Sequence, residues 1–143
     1  SGVWFLDNSS DSAVSGLDLP ILPDGWKYEG WAVMDGTPVS TGTFTDVSDF
    51  DDNASTSPFK GDAGDGPSYP GEDYLQNAPA GLTFPTDLRG ATIVISVEPS
   101  PDNSSAPFTL KPLAHMVPAN AATHTAIDMG TGPVESLTGT VTR

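Results

Sequence analysis

Trp26-Lys27-Tyr28-Glu29-Gly30-Trp31-Ala32-Val33-Met34 is dense in aromatic and β-favouring residues, and Asp35-Gly36 follows it at once. Asp-Gly tolerates the positive φ angles of a two-residue hairpin turn, so the stretch reads as a strand that doubles back. Val39 to Thr45 is the expected return strand. It carries Thr41, Thr43 and Thr45 on one side and Gly42 and Phe44 on the other, a half-buried pattern.

Working outward, Ala91 to Val97 shows the same period of two. Ile93, Ile95 and Val97 share one face, Thr92, Val94 and Ser96 the other, and Pro99 ends the run. After a turn at Ser100-Pro101-Asp102-Asn103, Phe108 and Leu110 alternate with Thr109 and Lys111, which predicts a partner strand. Gly2 to Asp7 reads as a short apolar strand and Leu137 to Thr142 as the last one. Two prolines near Gly25 make residues 17–25 extended and turn-rich. Helix is expected only as one turn at Gly71–Gln76 and a short segment opened by Pro118 and running to His124. The sum is about six strands with no internal repeat. It predicts an all-β, antiparallel β-sandwich, Ig-like or related, as one domain over residues 1–143.

Residues 46–90 are different: rich in Asp, Asn, Ser, Gly and Pro, with isolated Phe50, Phe59, Tyr69, Tyr74, Leu75, Leu82 and Phe84. This is a long acidic loop insertion, pinned to the body by scattered aromatics, and loops of that length are functional or disordered.

The 143 residues suit a single domain, and the 36% apolar content is low for a globular chain without reaching that of disorder. Fifteen glycines and fourteen prolines exclude a helical bundle. The net charge of −14 repels a polyanion, which argues against nucleic-acid binding and permits cations or a basic partner. The absence of cysteine excludes disulfides and thiolate metal sites, and no apolar run is long enough to span a bilayer. A start at Ser1 without initiator Met is expected of a mature form or a piece of something longer.

Catalytic signals are missing. With only His115 and His124, a nucleophile–His pair would have to use Ser or Thr, and no G-x-S-x-G elbow, phosphate cradle or H-E-x-x-H motif is present. The chain reads as no enzyme. The acidic segment holds Asp46, Asp49, Asp51, Asp52, Asp62, Asp65, Glu72 and Asp73 against Lys60 alone. Calcium takes six to eight oxygens, and Asp- and Gly-rich loops supply them. Asp49-Phe50-Asp51-Asp52-Asn53 opens like an EF-hand, but Ala54 stands where glycine is needed and Lys60 where the bidentate Glu belongs. A non-EF site would draw on Asp49, Asp51, Asp62, Asp65 and Asp73, with calcium as the only cofactor to expect; the alternative is a solvated acidic loop. Tyr69 and Tyr74 flank Pro70-Gly71-Glu72-Asp73 and are the candidate contact surface, for a protein or a glycan. Asn8, Asn53 and Asn103 head N-glycan acceptor triplets, and Asp11-Ser12-Ala13 is similar to a bacterial O-glycosylation acceptor.

From Tyr28-Glu29-Gly30-Trp31 through Asp35-Gly36-Thr37-Pro38 to Gly42-Thr43-Phe44, and again at Ile95-Ser96-Val97-Glu98-Pro99 with Ala106-Pro107, the chain resembles the extracytoplasmic domain of anti-sigma-K-type factors. It is similar too to exported lipoproteins of Bacteroidetes-type bacteria that reuse this domain. The resemblance implies a β-sandwich outside the cytoplasm. It does not bring sigma-factor binding with it, since that belongs to a separate N-terminal domain of such factors.

The expectation is therefore a non-enzymatic, secreted or cell-surface domain for structural assembly or protein–protein interaction, calcium-stabilised and filament-forming in its fullest version. Self-association would run through the terminal strands Trp4-Phe5-Leu6 and Leu137–Thr142. A carbohydrate-binding module and the sensory domain of an anti-sigma factor are the alternatives.

Overall fold

The computed structural model describes residues 2–102, 104–133 and 140–142. Among them there is no helix, and so none long and apolar enough to cross a membrane. Nine strands follow in order: β1 (Gly2–Trp4), β2 (Leu6–Asp7), β3 (Val14–Ser15), β4 (Trp26–Met34), β5 (Thr37–Phe44), β6 (Gly71–Asp73), β7 (Thr92–Pro99), β8 (Leu113–Met116) and β9 (Gly130–Thr131). Five form one antiparallel sheet in the order β5-β4-β7-β8-β9, while β1 pairs with β6 and β2 with β3 as two short ribbons. The fold is the expected all-β, sandwich-like one.

Asp35 (φ 49°) and Gly36 (φ 80°) turn β4 into β5 as the dipeptide predicts. Register then sorts the side chains. On the inner face Tyr28 lies between Phe44 and Val97, Gly30 between Gly42 and Ile95, and Ala32 between Val39 and Ile93. The ribbons close over this face through Phe5, Leu17 and Tyr74, all buried. Gly30 is required here: a Cβ on it would stand 2.5 Å from the Phe5 ring and 2.2 Å from Thr41 Oγ1. The return strand contains one irregularity. Gly30 faces Gly42 but Trp31 faces Ser40, so Thr41 is an extra residue in a β-bulge.

The 46–90 excursion carries its own fastening. Phe59, Tyr74 and Phe84 form a ring cluster with centroids 5.3–6.0 Å apart, and Tyr74 gives its hydroxyl proton to the Val39 carbonyl at 3.2 Å. Leu75 and Gln76 both donate their N–H groups to Phe59 O at 3.0 Å.

Several local expectations change. Gly71–Asp73 is a strand rather than a helical turn, because β1 satisfies its main chain in the register Gly2–Asp73 to Trp4–Gly71. The partner of β7 is Leu113–Met116, not the segment around Phe108 and Leu110. Pro107 and Pro112, which lack an N–H, bracket that segment, and it shares one main-chain to main-chain bond with β7, Val97 N–H to Leu110 O at 2.9 Å. Residues 118–124 form turns instead of a helix, with His124 at φ 58°. Of the expected last strand Leu137–Thr142, residues 137–139 lie outside the described residues, and 140–142 are not strand. Trp4-Phe5-Leu6 is no free donor strand either: Trp4 faces Gly71, Leu6 faces Ser15, and Phe5 is buried with its N–H on Pro70 O at 2.9 Å.

Tyr74 should behave as core. Tyr74→Ala is expected to lower the unfolding free energy by about 3–5 kcal/mol, as aromatic-to-alanine changes in packed interiors do. Urea denaturation checks this; a loss below about 1 kcal/mol would mean the ring is not packed as described.

Candidate functional site

The five aspartates named from sequence do not converge. Asp49, Asp62 and Asp65 are exposed, Asp65 being paired with Lys60. Asp73 is half-buried at the end of β6. Asp51 is buried, and its carboxylate accepts the N–H groups of Asn53 at 2.8 Å and Gly71 at 3.2 Å. Burial raises its pKa against the pull of those donors. It is a strut between the start of the excursion and β6.

Much of the loop acidity serves the turns. Asp7, Asp46, Asp51, Asp87 and Asp102 each accept the backbone N–H two residues on, from Ser9, Ser48, Asn53, Arg89 and Ser104, at 2.8–3.0 Å. These are Asx turns, for which aspartate is selected whether or not an ion is near. The tyrosine contact surface is not formed either. Tyr74 is wholly buried, and half-buried Tyr69 commits its hydroxyl to Ala13 O at 2.8 Å.

A different set of carboxylates does converge. Glu29 on β4, Glu98 on β7 and Asp102 in the following turn have oxygens all within 4.8 Å of one another, the one such group among the described residues. Alternation sends Glu29 and Glu98 to the outer face of the sheet, with Trp31 and Ser96, while the apolar partners face inward. The bulge at Thr41 shifts β5 so that Ser40 comes opposite Trp31, and its hydroxyl donates to Glu29 Oε1 in a short hydrogen bond. The Gly42 N–H donates to that same hydroxyl at 2.9 Å.

Glu98 is held by a chain of donors. Trp31 Nε1–H donates to Ser96 Oγ at 2.9 Å, Ser96 donates to Glu98 Oε1, and the Phe108 N–H reaches the same oxygen at 2.8 Å. Both glutamates are buried, Glu98 completely and Glu29 to 5% exposure, yet Oε2 of each has no hydrogen-bond partner. Burial pushes the Glu29 carboxyl up to about 8. The Ser40 hydroxyl opposes this, and the Asp102 carboxylate, within hydrogen-bonding reach, and that of Glu98 add to it.

No base answers these three acids among the described residues. Lys27 sits 2.6 Å from Asp52, Lys60 binds Asp65, Arg89 binds Asp87, and Lys111 donates to Phe108 O. Glu29 and Asp102 line an open cleft of about 650 Å³ with Lys27, Ser40, Asp52 and Pro99, and Glu98 lies buried behind them. Two buried carboxylates with a third beside them repel one another, and a cation placed among them relieves that repulsion. Sequence reading passed over them because they are far apart along the chain. The available signal was a glutamate within each of two otherwise β-favouring strands, Glu29 inside β4 and Glu98 near the end of β7.

Comparison with known proteins finds no matching family model, no matching curated protein and no matching solved structure.

The raised Glu29 pKa has a consequence for stability. In the metal-free folded chain Glu29 keeps its proton until about pH 8, whereas an unperturbed glutamate loses it near 4.5. Folding takes up a proton between those values, so the unfolding free energy falls as pH rises through that window and flattens above it. Urea titrations in chelator should show this slope, and Glu29→Gln should remove most of it. A slope undiminished in the variant would place the proton on another group.

Proposed function

We propose that this is a non-catalytic domain that works by contact, in structural assembly or protein–protein interaction at an extracellular surface. The observation that carries the reading is an exposed aromatic pair at one end of the main sheet. Trp26 and Phe108 keep 39% and 43% of their surface in solvent, with ring centroids 6.4 Å apart, and Leu110 in the same segment is 54% exposed. Large rings stay in water at a cost that a partner surface removes, and aromatic anchors of this kind dominate interface energetics.

The extracytoplasmic assignment rests on the resemblance of residues 28–44 and 95–107 to anti-sigma-K-type domains. The sensory-domain alternative rests on that resemblance alone, and a membrane helix with a cytoplasmic domain encoded upstream would favour it. A carbohydrate-binding module remains a second reading because the same Trp26–Phe108 pair offers a face for a sugar ring, now that Tyr69 and Tyr74 are occupied within the fold.

Sedimentation velocity over a concentration series, with electron microscopy of the concentrated sample, tests the assembly form. Self-association is expected in the wild type and is expected to disappear in Trp26→Ser/Phe108→Ser. Each substitution should cost about 1–2 kcal/mol, since more than half of each ring is out of solvent, so circular dichroism first confirms that the variant is folded. A wild type that stays monomeric would remove self-assembly; glycan-array hits that depend on Trp26 would favour the sugar reading instead.

A further inference from the structure

We propose that Glu29, Glu98 and Asp102 form a binding site for one calcium ion on the outer face of the main sheet. The site depends on no assumption about the domain's partner, and none of its three carboxylates belongs to the acidic excursion.

Glu29 Oε1 is taken by Ser40, Glu98 Oε1 by Ser96 and the Phe108 N–H, and Asp102 Oδ1 by the Ser104 N–H. Each is thus held through one oxygen, and the second oxygen of both buried glutamates is unpartnered. A buried carboxylate oxygen without a donor is unfavourable, and a cation satisfies several at once. Ser40, Ser96, Trp31 and the Phe108 N–H then act as the outer ring of donors that orients metal ligands from behind.

The donors are carboxylate oxygens with no His nitrogen or Cys sulfur among them, which selects a hard ion over zinc or copper. Calcium bonds oxygen at about 2.3–2.6 Å, so two oxygens across it stand up to about 5 Å apart; magnesium, at about 2.1 Å, spans only about 4.2 Å. The three oxygens all lie within 4.8 Å of one another, inside the span of a single calcium ion. Three carboxylates able to bind through one or both oxygens, completed by water from the open cleft, reach the six to eight ligands calcium takes. Nearby Lys27 does not compete, because Asp52 holds it at 2.6 Å with Thr43 donating to the same carboxylate oxygen.

The ion would tie the turn carrying Asp102 to β4 and β7. Phe108 hangs from Glu98 by its N–H and packs at a tilt against Trp26, so calcium would also steady the exposed aromatic pair.

The test strips the full chain with EGTA, confirms its β-rich circular dichroism, and titrates calcium by calorimetry while following Tm. Terbium is a second probe, since the Trp31 indole lies two hydrogen bonds from Glu98 and should sensitise its emission. One ion per chain is expected, with a Tm that climbs as calcium is added. Asp102→Asn and Glu98→Gln should each weaken binding at least about tenfold. Asp62→Asn/Asp65→Asn should leave affinity and stoichiometry unchanged. If Glu98→Gln fails to fold, Asp102→Asn, on a partly exposed turn, decides alone. A folded wild type that binds neither ion overturns the proposal, as does calcium binding that Asp102→Asn leaves intact. A monomeric, calcium-binding chain would keep this site while removing self-assembly.

Discussion

The pairing of β4 with both β5 and β7 is the constraint from which the remaining structure follows. A central strand has no free main-chain groups and must place alternate side chains on two faces, both of which have to be accommodated. In β4 the inner set, Tyr28, Gly30, Ala32 and Met34, is apolar and narrows at Gly30 so that the Phe5 ring can lie against the backbone. The outer set includes Glu29 and Trp31, which are buried as well. An apolar inner face needs only a cover, and the two ribbons with the Phe59–Tyr74–Phe84 cluster provide one. A buried polar outer face needs specific partners, which makes it much less forgiving.

Thr41 reconciles the two faces. Without an extra residue, the alternation of β5 could not place Gly42 opposite Gly30 and also bring Ser40 opposite Trp31. The bulge allows both, keeping the inner face apolar while aiming a hydroxyl at Glu29. Its own Oγ1 is left buried without a hydrogen-bond partner, so the irregularity carries a local penalty. A defect of this kind beside a buried acid fits the general association of bulges with functional positions better than it fits optimised packing.

How much of this could be read from the residues depends on the range of the interaction. Periods of two in Trp26–Met34 and Ile93–Val97, and the Asp35-Gly36 turn, are local signals, and the strands and hairpin appear where they indicate. The segment near Phe108 misleads because it alternates like a strand, while the prolines on either side withhold the donors that would pair it. Tyr74 misleads for the opposite reason. Its neighbours Gly71, Glu72 and Asp73 look like an exposed polar turn, yet they form β6, and the chain then carries the ring inward against Phe59 and Phe84.

The carboxylates make the same point about chemistry. A count along the chain finds its highest density in residues 46–73, where local backbone donors already use several of those groups, as with Asp46 and Asp51. Such an aspartate meets its partner two residues away and needs no long-range contact. Glu29 and Glu98 have no local use of that kind. Each interrupts a strand that would pack more simply with a neutral side chain, and Glu29 faces Ser96 across the β4–β7 pairing, placing both acids on one face. Scattered acids in loops are therefore weak pointers to an ion, whereas acids that replace expected neutral residues in paired strands are strong ones. Folding them inward is unfavourable unless something positive, a proton or a metal, is folded in with them.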